Sequence, residues 1–219
     1  MNASPLMSAL PWPWLTRIGE AQILLPLALA AAVWLHWHGR QTAVAWRWML
    51  ALTAAVALTT ASKLAFMGWG LGLAAWDFTG FSGHAMFAAA TLPLLGWTAL
   101  SGRRWALLPG VLLATLVACS RVQVHAHSVS EATLGWMLGM AASLVALRGA
   151  SLLPQRMPLW VPAGVLAVLT LTPFAAPRSM THDWVTRLSL QLSGREHPYT
   201  RKDLHRPQID ARRGSTARA

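Results

Sequence analysis

Six apolar stretches, at about residues 20–37, 44–66, 84–100, 105–120, 129–147 and 158–176, take up most of this 219-residue chain. Each approaches the ~17–25 residues that carry an α-helix across hydrocarbon. Backbone in lipid has no water to bond to and must satisfy its own N–H and C=O groups. The expected fold is therefore all-α, a polytopic membrane helical bundle of about six transmembrane helices. With 55% hydrophobic and only 11% charged residues, the chain is too apolar for disorder and too poor in charge for an ordinary soluble domain. Pro26, Pro93, Pro109, Pro162 and Pro173 fall within the stretches, where neighbouring helices can re-satisfy the carbonyls they free.

Three regions are expected: an N-terminal interfacial segment over 1–18, a six-span membrane domain over 19–176, and a basic, partly disordered tail over 177–219. The first fifteen residues lack a signal-peptide pattern, and Trp12 and Trp14 suit a membrane–water interface. One interfacial helix is expected near 181–193. Gly135 and Gly139, four apart in the fifth stretch, favour close helix packing. The formal charge of +11 sits mainly in the tail and in short turns, which favours anionic lipid headgroups over nucleic acid as partners. Cys119 is the single cysteine, so an internal disulfide and Cys-rich metal sites are excluded. No cofactor and no protein partner is expected.

Three turns, around 36–47, 101–104 and 148–156, hold Arg40, Arg47, Arg103, Arg104, Arg148 and Arg156 and no acid. With six spans all three fall on one side, which the positive-inside rule makes cytoplasmic. Ionisable groups at membrane-helix ends are costly unless they face a partner or a cavity, and three clusters fall on the other side. The first is Lys63, followed by Gly68, Gly70, Gly72 and Asp77; the second is Ser82-Gly83-His84; the third is Ser120-Arg121 with His125, His127 and Glu131.

Together these clusters suit a phosphate group. Lys63 and Arg121 can neutralise its charge, while the Ser82 hydroxyl and the amides opening the third span can donate to its oxygens. In a helix beginning near 127, His127 and Glu131 lie one turn apart. The carboxylate then takes the Nδ1 proton and leaves Nε2 as a nucleophile, with His84 as general acid.

These residues resemble the type 2 phosphatidic-acid phosphatase superfamily, which shares its site with vanadium-dependent haloperoxidases. Its third motif, Ser-Arg-x5-His-x3-Asp, is matched by Ser120-Arg121, His127 and Glu131 in place of Asp. Its second, Pro-Ser-Gly-His, is matched by Ser82-Gly83-His84, with Phe81 for Pro. In its first, Lys-x6-Arg-Pro, Lys63 fits but Gly70 and Leu71 stand for Arg and Pro. The resemblance implies a phosphohistidine on His127, His84 as acid, and Lys63, Ser82, Gly83 and Arg121 holding phosphate. It also implies a lipid phosphate substrate such as phosphatidate, phosphatidylglycerol phosphate, polyprenyl diphosphate or a lipid A phosphate. The setting would be the outer, periplasmic face of a bacterial inner membrane. Either one phosphate ligand is absent, or a cation from elsewhere, such as the tail, replaces the motif arginine.

Other classes remain open. One is a catalytically silent lipid-phosphate-binding protein; another is a membrane protein binding zinc through His84, His125, His127 and Glu131. Asp77 can orient Lys63 or His84, or cap the third span. His36 and His38 read as interfacial residues, and His182, His197 and His205 as ordinary surface residues.

Overall fold

The computed structural model describes residues 11–100, 103–153, 160–175 and 181–205. Arg156, the first ten residues and the tail after His205 lie outside them. The described residues are helical apart from turns and one isolated bridge between Leu73 and Phe78. The helices are α1 (Trp12–Ile18), α2 (Ala21–Trp37), α3 (Thr42–Trp69), α4 (Gly83–Ala99), α5 (Leu107–Gln123), α6 (Val129–Ala146), α7 (Trp160–Ala175) and α8 (Thr181–Ser193).

Helices α2 to α7 coincide with the six apolar stretches, but their lengths differ. Among the described residues, three segments are long and apolar enough to cross a membrane: Thr42–Trp69, Val129–Ala146, and α5 with its preceding 3-10 turn, Arg104–Gln123. A fourth arises if α1 and α2, bent by 41° at their junction, act as one span. At 1.5 Å per residue, 17 residues of α4 reach only about 26 Å, short of a ~30 Å hydrocarbon core. Several apolar helices thus fit a membrane protein. Leu25, Leu29 and Val33 on α2 and Leu108, Leu112 and Leu116 on α5 form exposed apolar stripes at one-turn spacing, the pattern of a lipid-facing side.

Helix α3 runs to Trp69 rather than stopping near 66, because Gly70, at φ +71°, closes it with a left-handed cap whose N–H reaches Phe66 O at 2.8 Å. Lys63 therefore lies nearly two turns inside the helix. Pro109 is the third residue of α5, where a missing N–H breaks no intrahelical bond, so it does not disrupt that helix.

Helix α4 is the central element, with most of its residues buried. Trp48 of α3 donates its indole N–H to Ala90 O at 2.9 Å, and Ser143 of α6 donates to Ala89 O at 2.7 Å. Gly135 and Gly139 let α6 approach α4 closely: a Cβ on Gly139 would stand 2.2 Å from Met86 O, and one on Gly135 2.6 Å from Ser82 O. That crossing seats the start of α4 against the start of α6.

Helix α1 packs against α5 and α7 instead of lying apart: Leu15 and Ile18 are buried, and Trp14 donates to Thr170 O at 3.2 Å. The described part of the tail, residues 181–205, is likewise docked on the bundle. Helix α8 forms where a helix was expected near 181–193 and lies on α3, burying Val185 and Ser189 while Trp184, Leu188 and Leu192 stay exposed.

Candidate active site

The ends of α3, α4, α5 and α6 meet around a cavity of about 460 Å³. Lys63, Gly83, His84, Arg121, His127 and Glu131 all line it. Topology alone requires only that these residues share one end of the bundle; the cavity brings them into one chamber.

Glu131 organises the chamber. It is fully buried, and its cost as a carboxylate is met by a set of donors. Oε1 accepts from Thr79 N at 2.7 Å and from the Thr79 hydroxyl, while Oε2 accepts from Ser128 N at 3.2 Å and Arg201 Nη2 at 2.8 Å. His127 Nδ1 lies 2.7 Å from Oε2. The bond to Ser128 N is half of a capping box, in which Ser128 Oγ accepts from Glu131 N. The local sequence Ser-Val-Ser-Glu thus begins α6 and fixes the orienting carboxylate with the same contacts.

Because Glu131 takes Nδ1, the neutral His127 ring keeps its proton there and presents Nε2 as a base. Nε2 has no hydrogen-bond partner among the described residues. Burial pushes the His127 pKa below its usual range, and the Lys63 and Arg121 charges push the same way. The Glu131 hydrogen bond and charge oppose them without reversing the shift. His127 is therefore neutral near pH 7, the state nucleophilic attack requires.

The cations come from adjacent helices. Arg121 donates Nη1 to Thr16 Oγ1 at 2.7 Å, while its buried Nε has no partner. Lys63 packs against Gly80, and a Cβ added to Gly83 would be 3.9 Å from its Nζ. That ammonium thus stands beside the N-terminus of α4, whose first amides lack intrahelical acceptors. Lys63 has no hydrogen-bond or ion-pair partner among the described residues. Unpaired donors and a helix N-terminus around one chamber make a receptor for an anion.

Several expectations need correction. Ser82 does not line the cavity: its hydroxyl is buried without a partner, and its backbone N–H donates to Glu131 O at 3.1 Å. Ser82 thus braces the α4 start, and Gly83 and His84 reach the chamber. Asp77 orients neither Lys63 nor His84. It accepts from the Arg201 guanidinium and lies 2.7 Å from His205 Nε2, because a left-handed turn at Asp77, φ +48°, faces it toward the tail. His205 is therefore not an ordinary surface residue, and exposed His182 lines the cavity. His125 lines a second cavity beside α6 that His127 also borders but His84 and Glu131 do not, so no one cavity holds the four-residue zinc set. Among the described residues no group of three His, Cys, Asp or Glu side chains is placed to hold a metal ion.

Phe81, where the motif has Pro, donates its N–H to Ser62 Oγ at 3.2 Å. Proline could not make this bond, so the substitution ties the loop to α3. Thr16, Thr79 and Arg201 are the site residues that sequence reasoning did not single out. Thr16 and Thr79 carry no motif, and Arg201 is one of many tail arginines.

No family model and no solved structure matches the chain. It is 33% identical over 204 residues to a Klebsiella pneumoniae protein described as an uncharacterized 22.5 kDa protein in cps region, a match covering 89% of this chain and 98% of the relative.

Proposed function

We propose that this chain, which belongs to the same family as the 22.5 kDa Klebsiella pneumoniae protein, is an integral membrane phosphatase that hydrolyses a lipid phosphate through a phosphohistidine on His127. The observation that carries this reading is His127 itself. Its Nδ1 is held by a buried carboxylate and its Nε2 is unpartnered, in a cavity lined by Lys63, Arg121 and His84.

The substrate phosphate sits between Lys63, Arg121 and the Gly83–His84 amides, which draw charge from its oxygens. His127 Nε2 attacks phosphorus, forming a P–N bond as the P–O ester bond breaks. His84, in its protonated form, gives the leaving alkoxide oxygen its proton and becomes neutral. The imidazole now carries phosphorus on Nε2 and a proton on Nδ1, and Glu131 stabilises the positive charge. In the second half, water gives a proton to neutral His84 while its oxygen attacks phosphorus. The P–N bond breaks, releasing inorganic phosphate and restoring His127.

The bundle suits a lipid substrate, because the cavity opens where apolar helices end, and α8, which lends Thr181, His182 and Thr186 to its lining, exposes Trp184, Leu188 and Leu192 elsewhere on its surface. A six-span arrangement puts the three arginine-rich turns on the cytoplasmic side and the cavity on the outer, periplasmic side of a bacterial inner membrane.

The purified protein in detergent, assayed with phosphatidate, phosphatidylglycerol phosphate, polyprenyl diphosphate and lipid A, should release phosphate from at least one of them with chelator present. Release should stop in His127→Ala and in the presence of vanadate. Full turnover by His127→Ala, or no release by the wild type from any of the lipids, defeats the proposal.

A further inference from the structure

Residues 194–205, which follow α8, are fastened at the cavity mouth through Tyr199, Arg201 and His205. Gly194, at φ +68°, turns the chain back. Tyr199 then donates its backbone N–H to Met67 O at 2.9 Å, and its ring lies on Gly70, where a Cβ would be 3.2 Å from the ring edge. The Arg195 guanidinium stacks 4.1 Å above the centroid of the same ring. Thr200 N donates to Asp203 Oδ2 at 2.9 Å, starting a helical turn. That turn carries Arg201 to Glu131 and His205 to Asp77.

Arg201 lines the cavity together with Lys63 and Arg121. Nη2 donates to Glu131 Oε2 at 2.8 Å, and Nη1 donates to Asp77 O at 2.9 Å and to the Asp77 carboxylate. Its side chain is 37% exposed and that of Asp77 43%. The Asp77 pair, that accessible to water, adds little to folding; the bond to Glu131 helps offset the burial of that carboxylate.

We propose that the C-terminal segment completes the site, Arg201 serving as its third phosphate-binding cation, with Asp77 as the residue that positions it. The inference rests on the phosphatase reading for its substrate, a lipid phosphate monoester or diphosphate. Gly70 stands where the motif has arginine, and the absent side chain leaves the surface on which Tyr199 sits. Tyr199 in turn delivers Arg201 two residues later. Three cations line the chamber against the single carboxylate of Glu131, a surplus of positive charge that suits a phosphate anion. A planar guanidinium held on its carboxylate side can still offer a free edge to phosphate oxygens.

Orthovanadate binding to the full-length protein, followed by calorimetry, and phosphatidate hydrolysis in micelles test this together. Arg201→Gln, whose amide can still donate to Glu131, should weaken vanadate binding and raise KM about 10- to 100-fold, Arg201→Lys should recover part of the loss, and Asp77→Asn should show a smaller rise. If Arg201→Gln binds vanadate as tightly as the wild type, the inference is overturned while the phosphatase reading stands. If the wild type binds vanadate through Arg201 but turns over no lipid, the enzyme reading fails and Arg201 remains an anion ligand. A wild type that binds no vanadate overturns the inference as well. An Arg201→Gln protein that melts early is replaced by Asp77→Asn and Arg201→Lys, whose unchanged vanadate affinity would count equally against it.

Discussion

The two ends of the bundle use positive charge in opposite ways. At one end, Arg40, Arg103, Arg104 and Arg148 are exposed on short turns and left to the surroundings of the bundle. At the other, Lys63, Arg121 and Arg201 converge on one cavity around a buried carboxylate. The sequence gives both ends similar basic residues, and burial separates their roles. An exposed arginine is satisfied by water. A cation in a chamber must be answered by a fixed acceptor or by a ligand.

The largest effect expected from testing this contrast is at the cavity end. His127→Gln should cut lipid-phosphate turnover by at least ~10³-fold, measured as phosphate release, because no other group supplies the nucleophile. Glu131→Gln keeps the size but not the charge, and should cost ~10²–10³-fold in kcat, since an amide stabilises the imidazolium poorly. Its Thr79 contacts can partly survive, so circular dichroism should still report a folded protein.

Packing at the α4–α6 crossing provides a third test. Gly139→Leu places carbon against Met86 O, where a Cβ alone would already be 2.2 Å away. This overpacking should lower stability by more than ~1–3 kcal/mol and be visible as an earlier melting transition in detergent.

The pH profile is a smaller effect with a definite sign. Burial holds His127 below its usual pKa, so its nucleophilic form persists below pH ~6.5. The acid limb of kcat/KM should fall only at lower pH. Glu131 acts against that lowering, so Glu131→Gln should move the acid limb to still lower pH in whatever activity remains.

The smallest effect is expected at the other end: Arg103→Ala with Arg104→Ala should leave kcat/KM within about two-fold, since exposed charges away from the chamber do not touch substrate. Its consequence should appear in membrane orientation, measured by reporter fusions.

Much of the fold was legible because helix formation in a membrane protein follows from apolar length. The stretches at 20–37 and 129–147 correspond to α2 and α6 within a residue or so. Boundaries set by backbone geometry were less visible: Gly70 extends α3 by three residues past the expected end through a left-handed cap. The pairing of His127 with Glu131 was expected from a helix beginning near 127, but α6 begins at Val129 and His127 precedes its N-cap, Ser128; the capping box that holds Glu131, not a helical turn, brings the two together.

Contacts between distant segments were not readable in this way. Sequence spacing alone could not show that Ser82 braces the α4 start without reaching the cavity, or that Asp77 serves the tail. Thr16 meets Arg121 across 105 residues and Arg201 meets Glu131 across 70, and nothing local encodes either distance.

The sequence by itself determined an all-helical apolar chain with its reactive residues at one end, because hydrophobic length and helical periodicity are local properties. Only the tertiary structure decided which of those residues share a chamber and that the tail brings a third cation to it. Such contacts depend on how helices cross, and here the α6 glycines set how closely α6 approaches the start of α4.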